Sequence, residues 1–239
     1  MVVKPFTVDF DKPLVFQVGH LGKGYNEWVH QPIVSKEGPR FFGNYYLELL
    51  TRTTWWVIPI VWLPVVSWSV FMSFRTGLTL PQVALSVVGG IFIWTLTEYV
   101  MHRFLFHMKT TSYWGNTIHY LLHGCHHKHP MDGMRLAFPP AATAIFCVPF
   151  WIMFRLLSPP LVAPALFGGT LLGYVAYDVI HYYLHHGKPS NRLTQDLMKS
   201  HLNHHFRVQS KGFGLTSTLW DNVFGTVPST KDAEKMSNQ

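Results

Sequence analysis

The sequence predicts an all-α integral membrane protein: four transmembrane helices under a helical cap that holds a dinuclear, histidine-rich metal site. Three observations carry this. Charged residues make up only 13% of the 239 and hydrophobic residues 48%, which is little charge for a water-soluble domain. Four apolar stretches are each long enough to cross a hydrocarbon core of about 30 Å. Thirteen of the fifteen histidines fall between residues 102 and 205, and histidine outnumbers Asp plus Glu, 15 to 12. No Ser/Gly linker or low-complexity run marks a boundary, so residues 1–239 read as one domain.

Residues 1–53 mix charge, Pro and Gly with aromatic patches, and read as an irregular segment that packs on something else. The start, MVVKPFTVDFDKP, has no apolar core of a cleavable signal. His20 and His30 lie here, outside any ligand spacing, and read as surface or core residues whose replacement by Ala should leave most activity. Residues 54–74 carry no charge and make the first span, with kinks expected at Pro59 and Pro64. The turn RTGLT follows. Residues 80–101 make the second span, with Pro81 near the first helical position and Glu98 one turn before His102. Residues 102–137 are too polar to span. Residues 138–157 and 161–180 make the third and fourth spans, separated by SPP. Gly169 and Gly173 stand at GxxxG spacing in the last, a signal of close helix packing. The tail from 181 is polar and histidine-rich at first, then expected to fray.

Seventeen of the nineteen Lys and Arg residues lie in 1–53, in 102–137 or after 181; Arg75 and Arg155 stand at the two short turns on the other side. The positive-inside rule then puts both termini and every histidine on the cytosolic face. The net charge of +7 is accounted for by that rule and by anionic headgroups. There is no basic stripe on a soluble fold of the kind that nucleic acid requires. Cys125 and Cys147 are not expected to pair, and Cys125 reads as a spacer between histidine directions rather than a ligand.

Imidazole is the commonest neutral metal ligand, and here its spacing repeats. His123, His126 and His127 form an HxxHH block, and His201, His204 and His205 form a second. On a helix, i+3 and i+4 flank position i on one face, and the adjacent pair diverges by about 100°. One of the pair can therefore reach one ion and its neighbour a second. His181 and His185, at i and i+4, can grip a single ion. His102 and His107, at i and i+5, fit one straight helical face poorly, so the helix should end or bend between them, or the side chains reach around it. These ten imidazoles suffice for two ions with about five each. All-nitrogen ligation suits Fe, Zn, Cu or Ni, but catalytic zinc usually takes about three protein ligands and keeps an open position. Two redox ions where headgroups meet acyl chains point instead to O₂-dependent attack on a lipid C–H bond.

The phrases between the histidines narrow this further. HRFLFH, HYLLHGCHHKHPMD, RLAFPP, GYVAYDVIHYYLHH, HLNHHF and KGFGLTSTLWDNVFGT resemble the fatty acid 2-hydroxylases, of the plant type without a fused cytochrome b5 domain, from about residue 5 to residue 228. The resemblance implies a di-iron enzyme of the endoplasmic reticulum membrane that uses O₂ to hydroxylate C2 of a very-long-chain acyl group, usually within ceramide. By the same resemblance His102, His107, His123, His127 and His204 hold one metal, and His126, His181, His185, His201 and His205 the other. Zinc can replace iron in purified protein, because it binds nitrogen sites more tightly than Fe²⁺. His119, His129 and His186 fall outside the pattern and read as supporting or surface residues.

Ligand histidines usually donate their other N–H to a carboxylate or carbonyl. Glu98, at i−4 from His102, and Asp178, at i−3 from His181, are the candidates, with Asp132, Asn203 and Asp221 behind them. The two electrons that hydroxylation draws from outside imply a separate cytochrome b5 and its NADH reductase, since the chain has no dinucleotide fingerprint and residues 1–53 are too short for a haem domain. Arg103, Lys109, Lys128, Arg207 and Lys211 are candidates for the docking face. The nearest rival is another membrane di-iron lipid oxidase, a desaturase or sterol C4-methyl oxidase. A zinc transporter or zinc-buffering protein is more distant, because transport sites lie near the bilayer midplane.

Overall fold

The computed structural model describes residues 6–228, so the expected fraying of residues 229–239 lies outside the described residues. All regular structure within them is helical. Short helices α1 (Val15–Val18), a 3₁₀ segment (Gly19–Gly24), α2 (Tyr25–Val29) and α3 (Tyr45–Leu50) precede the first span. This corrects the expectation of an irregular segment: Leu14, Val15, Val18, Tyr25, Val29 and Phe41 form an apolar core with Tyr120 and Cys125 of the cap. Burying that face is what folds helices too short to stand alone in water.

Among the described residues, four helices are long and apolar enough to cross a membrane: α4 (Val57–Arg75), α5 (Leu80–Val100, prolonged to Phe106), α8 (Pro140–Leu157) and α9 (Ala163–His186). With the family membership established below, they make this a multi-pass membrane protein. Pro64 lies inside α4, whereas Pro59 falls in its first turn, where a missing N–H removes no helical hydrogen bond. Only Pro64 is therefore in a position to kink the span. Thr79 starts α5 with a capping box to Gln82.

The ends of two spans differ from expectation. The second continues past residue 101 to Phe106, and the fourth continues past 180 to His186. Site histidines thus ride on extensions of the spans themselves. The α5 extension, Met101–Phe106, is a π-helix closed by the bond from His107 N–H to the His102 carbonyl at 3.2 Å. The helix ends at Phe106, between the two histidines as their spacing anticipates, with His107 at its C-cap. A π turn is wider than an α turn, so i and i+5 come onto about one face. Cap helix α6 (Tyr113–His119) runs into a second π turn, Tyr120–Gly124, and then α7 (Cys125–Lys128). Helices α10 (Arg192–Phe206) and α11 (Leu219–Val223) complete the cap.

Helix α9 is the buried centre of the bundle. Glycine lets α5 approach it closely: a Cβ on Gly90 would strike the Leu166 carbonyl, and one on Gly169 the Val87 carbonyl. The Thr170 hydroxyl donates to the Gly90 carbonyl at 3.1 Å across this contact. The GxxxG spacing does have its expected packing role, since Gly173 in turn admits the Trp94 side chain.

Candidate metal centre

Four stretches of the chain deliver the ten histidines to one place. The α5 extension brings His102 and His107. The second π turn and α7 bring His123, His126 and His127. The last turns of α9 bring His181 and His185, and α10 brings His201, His204 and His205. Geometry sorts them into two fivefold groups, within each of which one nitrogen per ring lies within 4.8 Å of all the others. His102, His107, His123, His127 and His204 form the first; His126, His181, His185, His201 and His205 form the second. The adjacent pairs 126/127 and 204/205 are each divided between groups, as a helical offset of about 100° dictates. The groups adjoin, with the His127 and His205 rings 4.4 Å apart between centroids.

Each group is built like a cation site. The closest ring nitrogens are His107 Nε2 to His204 Nε2 at 2.9 Å, His126 Nε2 to His181 Nε2 at 2.8 Å and His185 Nε2 to His201 Nε2 at 2.8 Å. Buried His102 Nε2, His123 Nε2 and both nitrogens of His127 have no hydrogen-bond partner among the described residues. Buried polar atoms left in that way are costly, and a shared cation satisfies several at once. Burial pushes the imidazoles of His123, His126, His127, His201, His204 and His205 well below their ordinary pKa, which keeps them neutral, the form that binds metal. The residues present therefore fit two metal ions.

The imidazoles are oriented by a loop, not by carboxylates directly. His102 Nδ1 lies 2.7 Å from the Phe213 carbonyl and His204 Nδ1 lies 2.8 Å from the Lys211 carbonyl. A donating Nδ1–H leaves Nε2 as the free lone pair, and in both residues Nε2 is the nitrogen on the cluster side. Glu98 holds this loop: its carboxylate accepts from Leu215 N–H (2.6 Å), Thr216 N–H (2.8 Å) and the Thr216 hydroxyl (2.7 Å). Asp221 holds the other side, accepting from Phe213 N–H at 3.0 Å and Gly214 N–H at 2.8 Å. The expectation that Glu98 accepts from His102 is corrected, because its lone pairs face the N–H groups of Leu215 and Thr216 and the Thr216 hydroxyl instead. Glu98 is thus a positioning residue. Glu98→Ala should lower metal occupancy about tenfold, the smaller end of the outer-partner effect, whereas Glu98→Gln keeps an acceptor for the backbone and should retain most metal. Metal analysis of the two purified proteins checks this.

Asp178 is corrected likewise. It accepts from Phe138 N–H at 3.3 Å and is hydrogen-bonded to Tyr174, whose hydroxyl is 2.8 Å from that of Thr143. These groups tie α9 to the start of α8. They also line a cavity of about 400 Å³ that touches His123 and His126 of the cap and His181 of α9. From there it runs between α5, α8 and α9 along Trp94, Phe146, Phe150 and Phe167. Its walls are mostly apolar, and both histidine groups contribute to it.

Sequence reasoning missed His30. Its ring stacks on His107 at 5.9 Å and meets His127 edge-on at 5.2 Å, and its buried Nε2 has no partner among the described residues. A lone histidine in a distant segment carries no spacing signal, so only the fold of α2 against α7 reveals it, and the expectation that His30→Ala is harmless no longer has a structural basis. His20 is exposed, against Tyr113. His119 is buried, with Nδ1 2.7 Å from the Tyr25 hydroxyl; His129 is buried and His186 exposed.

The expected basic face is also smaller than its sequence. Lys128 is buried and donates to the carbonyls of Trp28 (2.9 Å) and Gln31 (2.7 Å); burial pushes its ammonium down to about 8. Arg103 donates to the Tyr99 hydroxyl at 2.8 Å and packs over Phe104 and Phe213. Lys109 and Arg207 are exposed. Asp132 pairs with Arg135, which also binds Glu48 and lies over Phe41. That buried ion group clamps the N-terminal segment onto the cap.

Four apolar helices and a histidine-rich metal site where their ends meet the cap define a membrane metalloprotein. The chain belongs to the fatty acid hydroxylase family, whose pattern covers residues 87–226. It is 64% identical, over 98% of its length and 99% of the relative, to a dihydroceramide fatty acyl 2-hydroxylase of Arabidopsis thaliana. It is 42% identical to the fatty acid 2-hydroxylase of Homo sapiens, over 94% of this chain and 65% of that one. A solved structure described as full-length scs7p, with only the hydroxylase domain visible, superposes with a TM-score of 0.87 at 41% identity, covering 95% of this chain and 87% of that one.

Proposed function

We propose that this protein is a membrane fatty acid 2-hydroxylase that acts on the long acyl chain of ceramide-type lipids. The observation that carries this reading is the apolar cavity that touches histidines of both groups and runs down among the spans. A lipid whose tail occupies it presents the first carbons of the chain to the metal centre. The names of the relatives, dihydroceramide fatty acyl 2-hydroxylase and fatty acid 2-hydroxylase, agree with that placement.

The two ions are taken as iron, held by the two histidine groups, which would supply the redox chemistry that activates O₂. In balance, the C2–H bond is replaced by C2–OH, the second oxygen atom leaves as water, and two electrons and two protons enter from outside. The chain's own contribution is positional. Carbonyls of Phe213 and Lys211 orient His102 and His204. Trp94, Phe146, Phe150 and Phe167 hold the tail and exclude water. Asp178, Tyr174 and Thr143 place polar groups in a mostly apolar wall, suited to the substrate's amide or carbonyl end. A mid-chain desaturase would need the tail to run past the metals rather than begin beside them. A transporter reading is disfavoured because the site histidines lie at the ends of the spans or in the cap. Mass spectrometry of sphingolipids from cells lacking and overexpressing the chain tests the reading; an unchanged 2-hydroxy fraction would overturn it.

The same reading puts the protein in the endoplasmic reticulum membrane with both termini and the cap cytosolic, and draws electrons from cytochrome b5 reduced by its NADH reductase. An acidic donor would dock near exposed Lys109 and Arg207. Complementary charge speeds encounter and salt screens it. In reconstituted bilayers with NADH and reductase, turnover should require cytochrome b5 and fall as salt rises. Full turnover without cytochrome b5 would remove it as the donor.

A further inference from the structure

The cap has an inverted surface. On α6 and the π turn that follows, Trp114, Ile118 and Leu121 stand at i, i+4 and i+7, on one helical face, and are exposed by 63%, 48% and 37%. The opposite face is polar and buried: Asn116, His119 and His123. In water a surface helix shows the reverse arrangement. Helix α3 repeats the inversion. Tyr45, Tyr46, Leu47, Leu49 and Leu50 are exposed, whereas Glu48 is buried and accepts from the N–H groups of Phe41 and Phe42. Apolar helix faces exposed in this way are left open only where something apolar covers them.

What covers it follows from its position. Five residues after α3, Trp55 and Trp56 are exposed at the cap-side end of α4, the level at which aromatic side chains mark a membrane–water interface. Arg52, between α3 and Trp55, pairs with Glu48 at 3.5 Å and keeps its side chain half-exposed at headgroup level. The cavity also opens here, since Leu50, Leu121 and Ile145 are at once cavity-lining and exposed. Its mouth is rimmed by apolar residues of α3, the π turn and α8, and so faces acyl chains rather than water.

We propose that α3 and the Trp114–Leu121 face lie in the plane of the bilayer, within the leaflet on the cap side, and form the sill of a lateral portal through which a membrane lipid enters the cavity. The seating of the two helices stands independently of the enzyme's activity. The portal rests on the lipid-hydroxylase reading above.

The full chain with its metals is reconstituted in phospholipid nanodiscs that contain a trace of phosphatidylcholine carrying a diazirine near the headgroup end of one acyl chain. After irradiation, adducts are mapped by mass spectrometry. Adducts within 45–50 and 114–121 are expected at yields like those around Trp55 and Trp56, with background labelling only at exposed Leu193 of α10. Labelling of both segments no higher than at Leu193 overturns the seating. In a second arm, the double variant Leu49→Asp, Ile118→Asp, first shown to keep its metal content, is assayed with ceramide in the bilayer. KM should rise about tenfold, as a charge placed in the interface disfavours the seated state, with kcat within about twofold. An unchanged KM overturns the portal even if the labelling holds. Labelling without any hydroxylation by the parent protein would support the seating and count against the proposed function instead.

Discussion

Replacing any one of the ten clustered histidines by alanine should abolish 2-hydroxy lipid formation. The fall should exceed the roughly 100-fold that loss of an outer hydrogen-bond partner costs. Each group offers five neutral nitrogens within 4.8 Å of one another, so one deletion leaves an open side and weakens every remaining bond to the ion. His204 is the most informative position. Its Nε2 is 2.9 Å from His107 Nε2, and its Nδ1 is held by the Lys211 carbonyl. The variant should lose metal from the first group while keeping its helical content, because His204 lies in the cap rather than between the spans. Metal analysis beside a product assay separates the two effects. Near-normal hydroxylation by His204→Ala or His185→Ala would remove that residue from the site.

Gly90→Val and Gly169→Val should each destabilise the protein by about 3 kcal/mol or more, the upper range for forcing bulk into a packed contact. The obstacles are carbonyls of the facing helix, those of Leu166 and Val87, and backbone cannot rotate away as a side chain can. The helices would have to separate. Since α5 carries His102 and α9 carries His181 and His185, separation also pulls the two metal groups apart, so activity and thermal stability should fall together. Gly89→Ala is the control: its new methyl would meet only Leu166 Cδ2, at 3.6 Å, an ordinary contact. Thermal unfolding in a fixed detergent, with activity measured on the same samples, checks the pair. Equal stability of Gly90→Val and Gly89→Ala would show that the interface tolerates a wider spacing than this fold implies.

The basic residues show why sequence reached some features and not others. Lys128 and Lys109 are indistinguishable as letters in a basic loop. Whether each is a docking charge depends on what lies over it, and Lys128 is taken up by two carbonyls from a segment about a hundred residues away. Glu98 and Asp178 were found by helical spacing from a histidine. Their actual donors are backbone N–H groups of Leu215, Thr216 and Phe138, beside the hydroxyls of Thr216 and Tyr174. Backbone donors carry no sequence signature, so the pattern of side chains does not reveal most of these contacts. His30 escaped for a related reason, since its neighbours His107 and His127 reach it only through tertiary packing.

The sequence by itself determined the four apolar spans, the histidine clusters and the division of each adjacent pair between two groups. These are local properties: a run of apolar residues has one stable medium, and helical pitch converts spacing into direction. Tertiary structure alone decided the two π turns, the loop that orients His102 and His204, the choice of α5 as the close partner of α9 and the cavity beneath the histidines. Each of these depends on backbone atoms, or on residues far apart in the chain, coming within a few ångströms, and local chain geometry does not encode such distances.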